Sequence, residues 1–179
     1  LMARNQSTMD SMEGPFRIIM APVLRMFHAL NRNTLYGSKK NIARHYDLSN
    51  KFFSLFLDST MMYSSAIYPN KTSTIETAAE YKLDVICKKL DLKKSHRVIE
   101  IGSGWGGFAI YAAKNYGCHV TTTTISKEQY KYVREKIKQL KLEKHIKIIF
   151  KDYRELTGKY DKLVSIEMIE AVGHKFYDS

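Results

Sequence analysis

The stretch 100-EIGSGWGGF-108 carries the pattern that decides the fold, a glycine-rich loop directly after a short apolar run. Gly102, Gly104 and Gly107 have the spacing G-x-G-x-x-G, which is typical of a dinucleotide-binding turn between a strand and a helix. That interpretation also requires an acidic residue about 20 residues further on, at the end of the next strand. The corresponding stretch, 121-TTTTISKEQ-129, has only hydroxyl side chains at its predicted strand end. The second half of the dinucleotide pattern is therefore missing.

Glu100, two residues before the first glycine, also argues against a pyrophosphate ligand. Two like charges about 4 Å apart repel each other by on the order of 4 kcal/mol at an effective dielectric of about 20. The same carboxylate favours a ligand with an ammonium and a sulfonium group. S-adenosylmethionine is such a ligand, and a strand followed by an acidic residue and Gly-x-Gly is the opening motif of its methyltransferases. The alternative for Glu100 is a strand-end carboxylate that pairs with a nearby lysine.

Strands and helices alternate on the C-terminal side of the loop, which predicts a parallel, doubly wound α/β sheet. The predicted strands are Val98–Ile101, His119–Ile125, Ile146–Phe150 and Lys162–Met168, and the predicted helices between them are Phe108–Asn115 and Ser126–Leu140. Before the loop, residues 74–92 form a predicted helix, and Phe52, Leu55 and Phe56 have helical spacing behind a cap at Ser49 or Asn50. Because the chain stops soon after the fourth strand, we expect a fragment whose sheet is incomplete at the C-terminus.

The composition narrows the possible partners and sites. The 179 residues carry a net charge of +11, with a pI of about 9.5, which favours anionic partners such as nucleic acid or an anionic membrane surface. Only two cysteines are present, Cys87 and Cys118, and they lie far apart with no C-x-x-C pair. This spacing argues against a zinc site or a disulfide framework and is typical of a protein in the reducing cytosol. The apolar segment 15–30 is interrupted by Arg17 and Pro22, so it predicts an amphipathic helical segment and not a membrane span.

Three regions follow from these patterns. Residues 1–44 are predicted to be an N-terminal tail with the amphipathic helical segment, and residues 45–92 a helical cap. The family resemblance described next implies that this cap contributes to the cofactor and lipid sites. Residues 93–179 are predicted to be the first half of a methyltransferase domain.

Five segments, taken together and in this order, resemble the cyclopropane fatty acid synthase family. They are 45-HYDLSNKFFSLFLDSTMMYSSAIY-68, 98-VIEIGSGWGGFA-109, 124-TISKEQ-129, 151-KDYREL-156 and 165-SIEMIEAVGHKFY-177. The resemblance implies a Rossmann-like class I methyltransferase fold. It also implies the transfer of a methyl carbon from S-adenosylmethionine to a cis double bond in a phospholipid acyl chain, followed by loss of a proton and closure of a cyclopropane ring.

The resemblance also implies which residues bind the cofactor. Tyr63 and Ser64 match the pair that reaches its methionine part. The loop positions that carry over are Val98, Glu100, Gly102, Ser103, Gly104, Trp105 and Gly106. Thr124, Ser126 and Gln129 match the ribose region, and Asp152, Tyr153 and Arg154 match the adenine region. For Gln129 the alternative is a capping box with Ser126, and for Trp105 it is packing beneath the loop.

The catalytic assignment by resemblance is less complete. Some family members use bicarbonate as the base, held by a cysteine and a glutamate, and these positions correspond to Ser65 and Glu170. Tyr46 is a further catalytic candidate, since aromatic rings such as those of Tyr46 and Phe52 can stabilise a cationic intermediate, with core packing as the alternative. Further ligands lie beyond Ser179 in the family, so we expect the 179-residue chain to be inactive alone.

The expected partners are phospholipid acyl chains at the inner face of the cytoplasmic membrane, which the protein approaches from the cytoplasm. No metal is expected and no nucleic acid is expected as a partner, and a homodimer is one open oligomeric state. Two rivals remain open. One is another S-adenosylmethionine-dependent methyltransferase of the same fold, acting on a small molecule or forming a methyl branch on a lipid. The other is a non-catalytic truncated remnant.

Overall fold

The structure is a computed structural model that describes residues 50–168 and Val172. The elements in chain order are α1 (Asn50–Phe53), α2 (Ile75–Lys89), β1 (Arg97–Ile101), α3 (Gly107–Tyr116), β2 (His119–Thr124), α4 (Lys127–Gln139), β3 (Ile146–Phe150), a 3₁₀ helix (Tyr153–Glu155) and β4 (Lys162–Ser165). The predicted N-terminal region 1–44 lies outside the described residues, as do Tyr46 and Glu170.

The four strands form a parallel sheet in the order β3-β2-β1-β4. Ile101 at the end of β1 is opposite Thr123 of β2 and Ser165 of β4, so the carboxyl ends of these strands meet at one edge. The direction in which strands are added reverses at β1, and ligands of open α/β sheets bind at such a switch point. The predicted parallel α/β architecture is confirmed.

Local sequence explains where the elements begin and end. Val98, Ile99 and Glu100 are all buried in β1, as expected for a parallel strand covered on both faces. The Thr74 side chain caps α2 by accepting a hydrogen bond from the backbone N–H of Thr77, at 3.2 Å. Gly117 ends α3 in the left-handed conformation, which glycine adopts without a Cβ clash.

Two predicted elements extend three residues beyond the observed C-terminal ends. The strand predicted to extend to Met168 ends at Ser165, because Glu167 has a left-handed backbone with φ of 48° and cannot continue the ladder. The helix predicted over 74–92 ends at Lys89, and Asp91 is left-handed as well, with φ of 47°. Among the described residues, no helix is both long enough and apolar enough to cross a membrane.

The main core lies between the sheet and its helices. Its largest fully buried members are Leu83 of α2, Phe108 of α3, Val98 and Val120 of the sheet, and Val133 of α4. A second, smaller cluster consists of Phe53, Met61 and Trp105, and we call it the aromatic cluster. It joins the chain before α2 to the glycine loop.

The short helix predicted from the spacing of Phe52, Leu55 and Phe56 is present, but the core-packing alternative for its phenylalanines needs a correction. Helix α1 is a single turn, and the next residues follow tighter turns. As a result Phe53, only 3% exposed, is the residue that packs inward, whereas Leu55 is 77% exposed. Phe52 and Phe56 are also exposed, so core packing does not explain them.

Candidate functional site

The glycine loop between β1 and α3 lies at the carboxyl edge of the sheet. Gly102, Gly104 and Gly106 have φ angles of 90°, 49° and 87°, in the left-handed region that favours glycine. A Cβ placed on Gly106 would lie 3.2 Å from a methyl carbon of Val133, so close packing of α4 requires the glycine. A Cβ on Gly104 would meet no described heavy atom within 4 Å. The loop is therefore packed on one side and open at Gly104.

Backbone hydrogen bonds hold the start of this loop to β2. The N–H groups of Gly102 and Ser103 both donate to the carbonyl oxygen of Thr123, at 3.1 and 2.8 Å. The N–H of Gly106 donates to the carbonyl oxygen of Ser103 at 2.8 Å. The first two loop amides thus brace the loop itself, and the part that can approach a ligand is the region around Gly104.

Glu100 is buried next to the loop. Burial raises the pKa of its carboxyl group from 4.5 to about 8. Its Oε2 atom has no hydrogen-bond partner within the described chain, and no described lysine forms an ion pair with it. The structure therefore gives no support to the alternative of a structural lysine pair. A buried carboxyl group of this kind fits a ligand with positive charge.

The end of β2 and the start of α4 form a compact polar turn. Thr124 Oγ1 donates to Gln129 Oε1 at 2.9 Å and accepts from the N–H of Ser126 at 3.1 Å. Ser126 Oγ in turn accepts from the N–H of Gln129 at 3.3 Å, which caps α4. A full capping box would also have the Gln129 side chain accept from the Ser126 N–H. That bond does not form, because the Ser126 N–H donates to Thr124 Oγ1 instead. The Gln129 side chain is thereby oriented at the same edge as the glycine loop.

A third turn follows β3. Asp152 caps the 3₁₀ helix and is buried, and both of its carboxylate oxygens accept hydrogen bonds from Arg154, at 2.8 and 2.7 Å. This bidentate pair raises the pKa of the Arg154 side chain through its hydrogen bond to Asp152. The guanidinium carbon lies 5.5 Å from the centre of the Tyr153 ring. The pair therefore fixes the turn that presents Tyr153.

The aromatic cluster supports the loop from below. Trp105 is buried, its ring centre is 4.7 Å from that of Phe53, and its Nε1–H donates to Asn50 Oδ1 at 2.8 Å. Tyr63 packs edge-on against Phe53 with ring centres 5.7 Å apart and lies 6.2 Å from Trp105. Trp105 therefore packs beneath the loop, as its alternative interpretation predicts. The ring of Tyr63, which is 48% exposed, lies on the solvent side of this cluster.

Sequence reasoning missed Lys82. Its ammonium group donates to Ser64 Oγ at 2.6 Å, to the Ser65 carbonyl at 2.8 Å and to Glu167 Oε1 at 3.0 Å. Ser65 Oγ lies 3.5 Å from the same carboxylate oxygen of Glu167. The available signal is the position of Lys82 in α2, where it shares the buried side with four other residues. These are Ala78, Ala79, Leu83 and Cys87.

Not every predicted residue lies at this edge. Val98 is fully buried in the main core near the start of β1, so we assign it to packing and not to the ligand-facing side. Tyr46 and Glu170 lie outside the described residues, so the structure does not place them. Within the described chain, no group of three or more His, Cys, Asp or Glu side chains is arranged to hold a metal ion.

Comparison with known proteins identifies the family. The family model described as mycolic acid cyclopropane synthetase matches residues 34–179. The chain belongs to this family. The resemblance inferred from the five sequence segments is thereby confirmed.

Curated relatives in the family include a cyclopropane-fatty-acyl-phospholipid synthase from Escherichia coli strain K12, 45% identical over 135 residues. That alignment covers 75% of this chain and 34% of the relative. The tuberculostearic acid methyltransferase UfaA1 of Mycobacterium tuberculosis is 39% identical over 145 residues, covering 77% of this chain and 34% of the relative. The chain therefore spans about a third of the length of these curated relatives.

Solved structures agree with the fold. The mycolic acid cyclopropane synthase CmaA1, in a complex with SAH and CTAB, superposes with a TM-score of 0.75 at 31% identity, covering 78% of this chain and 49% of that one. The cyclopropane synthase MmaA2 from Mycobacterium tuberculosis gives a TM-score of 0.74 at 31% identity, covering 76% and 48%. The class I methyltransferase fold predicted for this chain is thus confirmed.

Proposed function

We propose that this protein transfers a methylene carbon from S-adenosylmethionine to a cis double bond of a phospholipid acyl chain, which gives a cyclopropane fatty acid. The observation that carries the proposal is the buried Glu100 carboxyl group, whose Oε2 atom has no hydrogen-bond partner among the described residues, beside a glycine loop that is open at Gly104. Membership of the cyclopropane synthetase family and the phospholipid synthase among the relatives support the same reaction.

The residues at the sheet edge fit S-adenosylmethionine. Glu100 favours the positive charges of the ligand, and the open side at Gly104 allows close approach to the backbone. Tyr63 and Ser64 would bind its methionine part. The cofactor would supply the carbon that is transferred, while the protein orients it and excludes water.

The rest of the ligand would lie along the two polar turns. Thr124 and Gln129, already hydrogen-bonded to each other, would bind the ribose hydroxyls. Tyr153 would lie against the adenine ring, held by the Asp152–Arg154 pair. The preformed hydrogen bonds in both turns mean that little side-chain entropy would be lost on binding.

After the methyl carbon has been transferred, a proton must be lost for the cyclopropane ring to close, and this loss requires a base. We assign the role of the base to a bicarbonate ion held by Ser65 and Glu170. The Ser65 hydroxyl is exposed and can donate a hydrogen bond to such an ion. The nearby Glu167 carboxylate would repel it, whereas the ammonium group of Lys82 would offset part of that repulsion. Titration of isotope-labelled bicarbonate into the wild-type chain and into Ser65→Ala, followed by nuclear magnetic resonance, tests this assignment, because it does not require turnover. Equal binding by both proteins would exclude Ser65 as a residue that holds the ion.

Methyl branching of a lipid is a second candidate, because two relatives are named methyltransferases and not cyclopropane synthases. They are the tuberculostearic acid methyltransferase and a probable fatty acid methyltransferase from Pseudomonas putida, which is 41% identical over 135 residues. Nuclear magnetic resonance of lipids from a host expressing the protein separates the two reactions. A cyclopropane product gives high-field ring-methylene proton signals, and a branched product does not.

We also place the protein at the cytoplasmic face of the membrane. Six exposed basic residues on α4 and the turn after it outnumber the exposed Glu135 and Glu143 there and can interact with anionic headgroups. The basic residues are Lys127, Lys131, Arg134, Lys138, Lys141 and Lys144. Flotation with vesicles tests this: we expect retention on phosphatidylglycerol vesicles at low salt, and equal retention on neutral vesicles would exclude an electrostatic approach.

Calorimetry with S-adenosylmethionine tests the core of the proposal. We expect the purified chain to bind it, and we expect Glu100→Gln to weaken binding because the amide cannot become negative. Replacement of the exposed Glu135 by Gln is the matched control and should leave the affinity unchanged. No heat of binding with the folded wild-type chain would favour a non-catalytic remnant.

A further inference from the structure

We propose that Lys82 is a positioning residue that joins the two walls of the cofactor site. One wall is the Tyr63–Ser65 segment and the other is the turn after β4, which contains Glu167. This inference rests on the proposed function, because it assigns Lys82 a role in holding the S-adenosylmethionine site.

The surroundings of Lys82 are unusual for a lysine. Its side chain is 8% exposed although lysine is rarely buried unless it is paired. An ammonium group has three hydrogen-bond donors, and each has an acceptor within 3.0 Å. All three acceptors lie outside α2. All three donors of the ammonium group therefore connect other segments to α2.

The first wall depends on this contact. Residues 54–74 contain no helix or strand, so side chains must fix much of their path. Ser64 Oγ accepts from Lys82 and lies 3.2 Å from the sulfur of Met62, which defines the direction of the hydroxyl group. The adjacent carbonyl of Ser65 also accepts from Lys82. Lys82 thus sets both the backbone and the hydroxyl orientation beside Tyr63.

The second wall contacts the glycine loop. Glu167 holds a left-handed backbone, with φ of 48°, a conformation that is strained for a residue with a Cβ. Met168, the next residue, lies against Gly102, where an added Cβ would be 3.6 Å from its sulfur. The ion pair between Lys82 and Glu167 therefore connects the Tyr63–Ser65 segment to the turn that borders the loop.

Lys82→Met tests the proposal, because methionine keeps the length and apolar stem but cannot donate. The remaining partner, Glu167, is 47% exposed, so its carboxylate keeps contact with solvent and is not left as a buried unpaired charge. We expect the affinity for S-adenosylmethionine to fall by about tenfold to a hundredfold, as for a misplaced binding group. The matched control is Lys88→Met in the same helix, whose ion pair with Asp84 is exposed. An affinity for Lys82→Met within about twofold of wild type would overturn the proposal.

A second readout works without ligand. Trp105 is the only tryptophan in the chain and lies beneath Tyr63. If Lys82 holds the segment, Lys82→Met should make Trp105 fluorescence more accessible to acrylamide, and Lys88→Met should not. A wild-type chain that binds no S-adenosylmethionine would refute the proposed function, whereas the quenching comparison would still decide the role of Lys82. Unchanged quenching in Lys82→Met would count against that role.

Glu167→Ala keeps the test decisive if Lys82→Met does not fold, because Glu167 is 47% exposed and its loss should be tolerated. We expect it to weaken binding by about threefold or more. Where Lys82→Met does fold, the double variant should bind no more weakly than Lys82→Met alone. Wild-type affinity in Glu167→Ala, or two effects that simply add, would show that the two residues act separately and would overturn the link.

Discussion

The two halves of the candidate site are held in different ways. The half around the glycine loop is fixed by the backbone, with two loop amides on the Thr123 carbonyl and a serine cap at the start of α4. The half before α2 has no regular structure between residues 54 and 74 and is fixed by side chains, chiefly Phe53, Trp105 and Lys82. Short-range sequence determines the first half, and contacts between distant residues determine the second.

This difference has a functional meaning. A cofactor that many enzymes share needs a constant cradle, which backbone geometry provides. The exposed rings of Phe52, Phe56 and Tyr63 form an apolar surface on the half that side chains hold, and such a surface suits the lipid substrate proposed above. Variants that loosen only one half should therefore change the affinity for the cofactor and the free energy of unfolding to different extents.

The largest expected effect concerns Glu100, in the backbone-held half. Burial raises the pKa of this group from 4.5 to about 8, so the folded protein keeps a proton that the unfolded chain has released. The resulting stability is fully present below the unfolded pKa and is lost as the pH rises through the folded pKa. We expect a loss on the order of 4 kcal/mol between about pH 5 and about pH 8.

Glu100→Gln cannot ionise, so its free energy of unfolding should change much less over this range. Urea denaturation of both proteins at the two pH values measures the difference. An equal pH dependence in both would mean that the Glu100 carboxyl group is solvated and would remove the electrostatic argument for a cationic ligand.

The next largest effect concerns the side-chain-held half. Phe53→Ala should lower the free energy of unfolding by about 3 kcal/mol, because it removes the centre of the aromatic cluster. The neighbouring Phe52→Ala is the matched control and should cost less than about 1 kcal/mol, since Phe52 is exposed. Thermal unfolding of both variants checks this, and similar losses would show that the cluster is not the anchor.

A smaller effect separates two positions of the glycine loop. Gly106→Ala should cost about 2 kcal/mol, because it adds left-handed strain and a Cβ 3.2 Å from Val133. Gly104→Ala should cost about 1 kcal/mol from strain alone, since its Cβ meets open space. Affinity for S-adenosylmethionine should fall more in Gly104→Ala than in Gly106→Ala. Calorimetry measures the two affinities, and denaturation measures the two free energies of unfolding. If the same variant is the more strongly affected in both measurements, the loop does not approach the ligand at Gly104.

The smallest effect is expected at the contact between the halves. Asn50→Ala removes the acceptor for the Trp105 Nε1–H and should cost about 1 kcal/mol. Ser54→Ala, which removes an exposed hydroxyl contact, is the control and should be close to neutral. The position of the Trp105 emission maximum reports the change, and an unshifted maximum in Asn50→Ala would mean that the ring does not depend on this bond.

The sequence was sufficient for the half that local rules determine. The loop glycines, the capping serine at Ser126 and the buried run at the start of β1 are all readable from spacing and residue type. The other half depends on tertiary contacts, so helical spacing selected Phe52 where the structure buries Phe53. Lys82 was missed because a lysine within a charged helix looks solvated, and only the fold shows that it faces Ser64.

The sheet order has a consequence for how the protein reaches its binding-competent state. β1, β2 and β3 are adjacent in sequence and in space, whereas β4 pairs with β1 across a separation of 64 residues, as at Ser165 and Ile101. Closing that long loop has a higher entropic cost than joining the first three strands. Glu167 follows β4 directly, so its ion pair with Lys82 forms only after this last strand docks. The wall beside the glycine loop therefore depends on the docking of β4, and a form of the chain in which β4 is undocked lacks it.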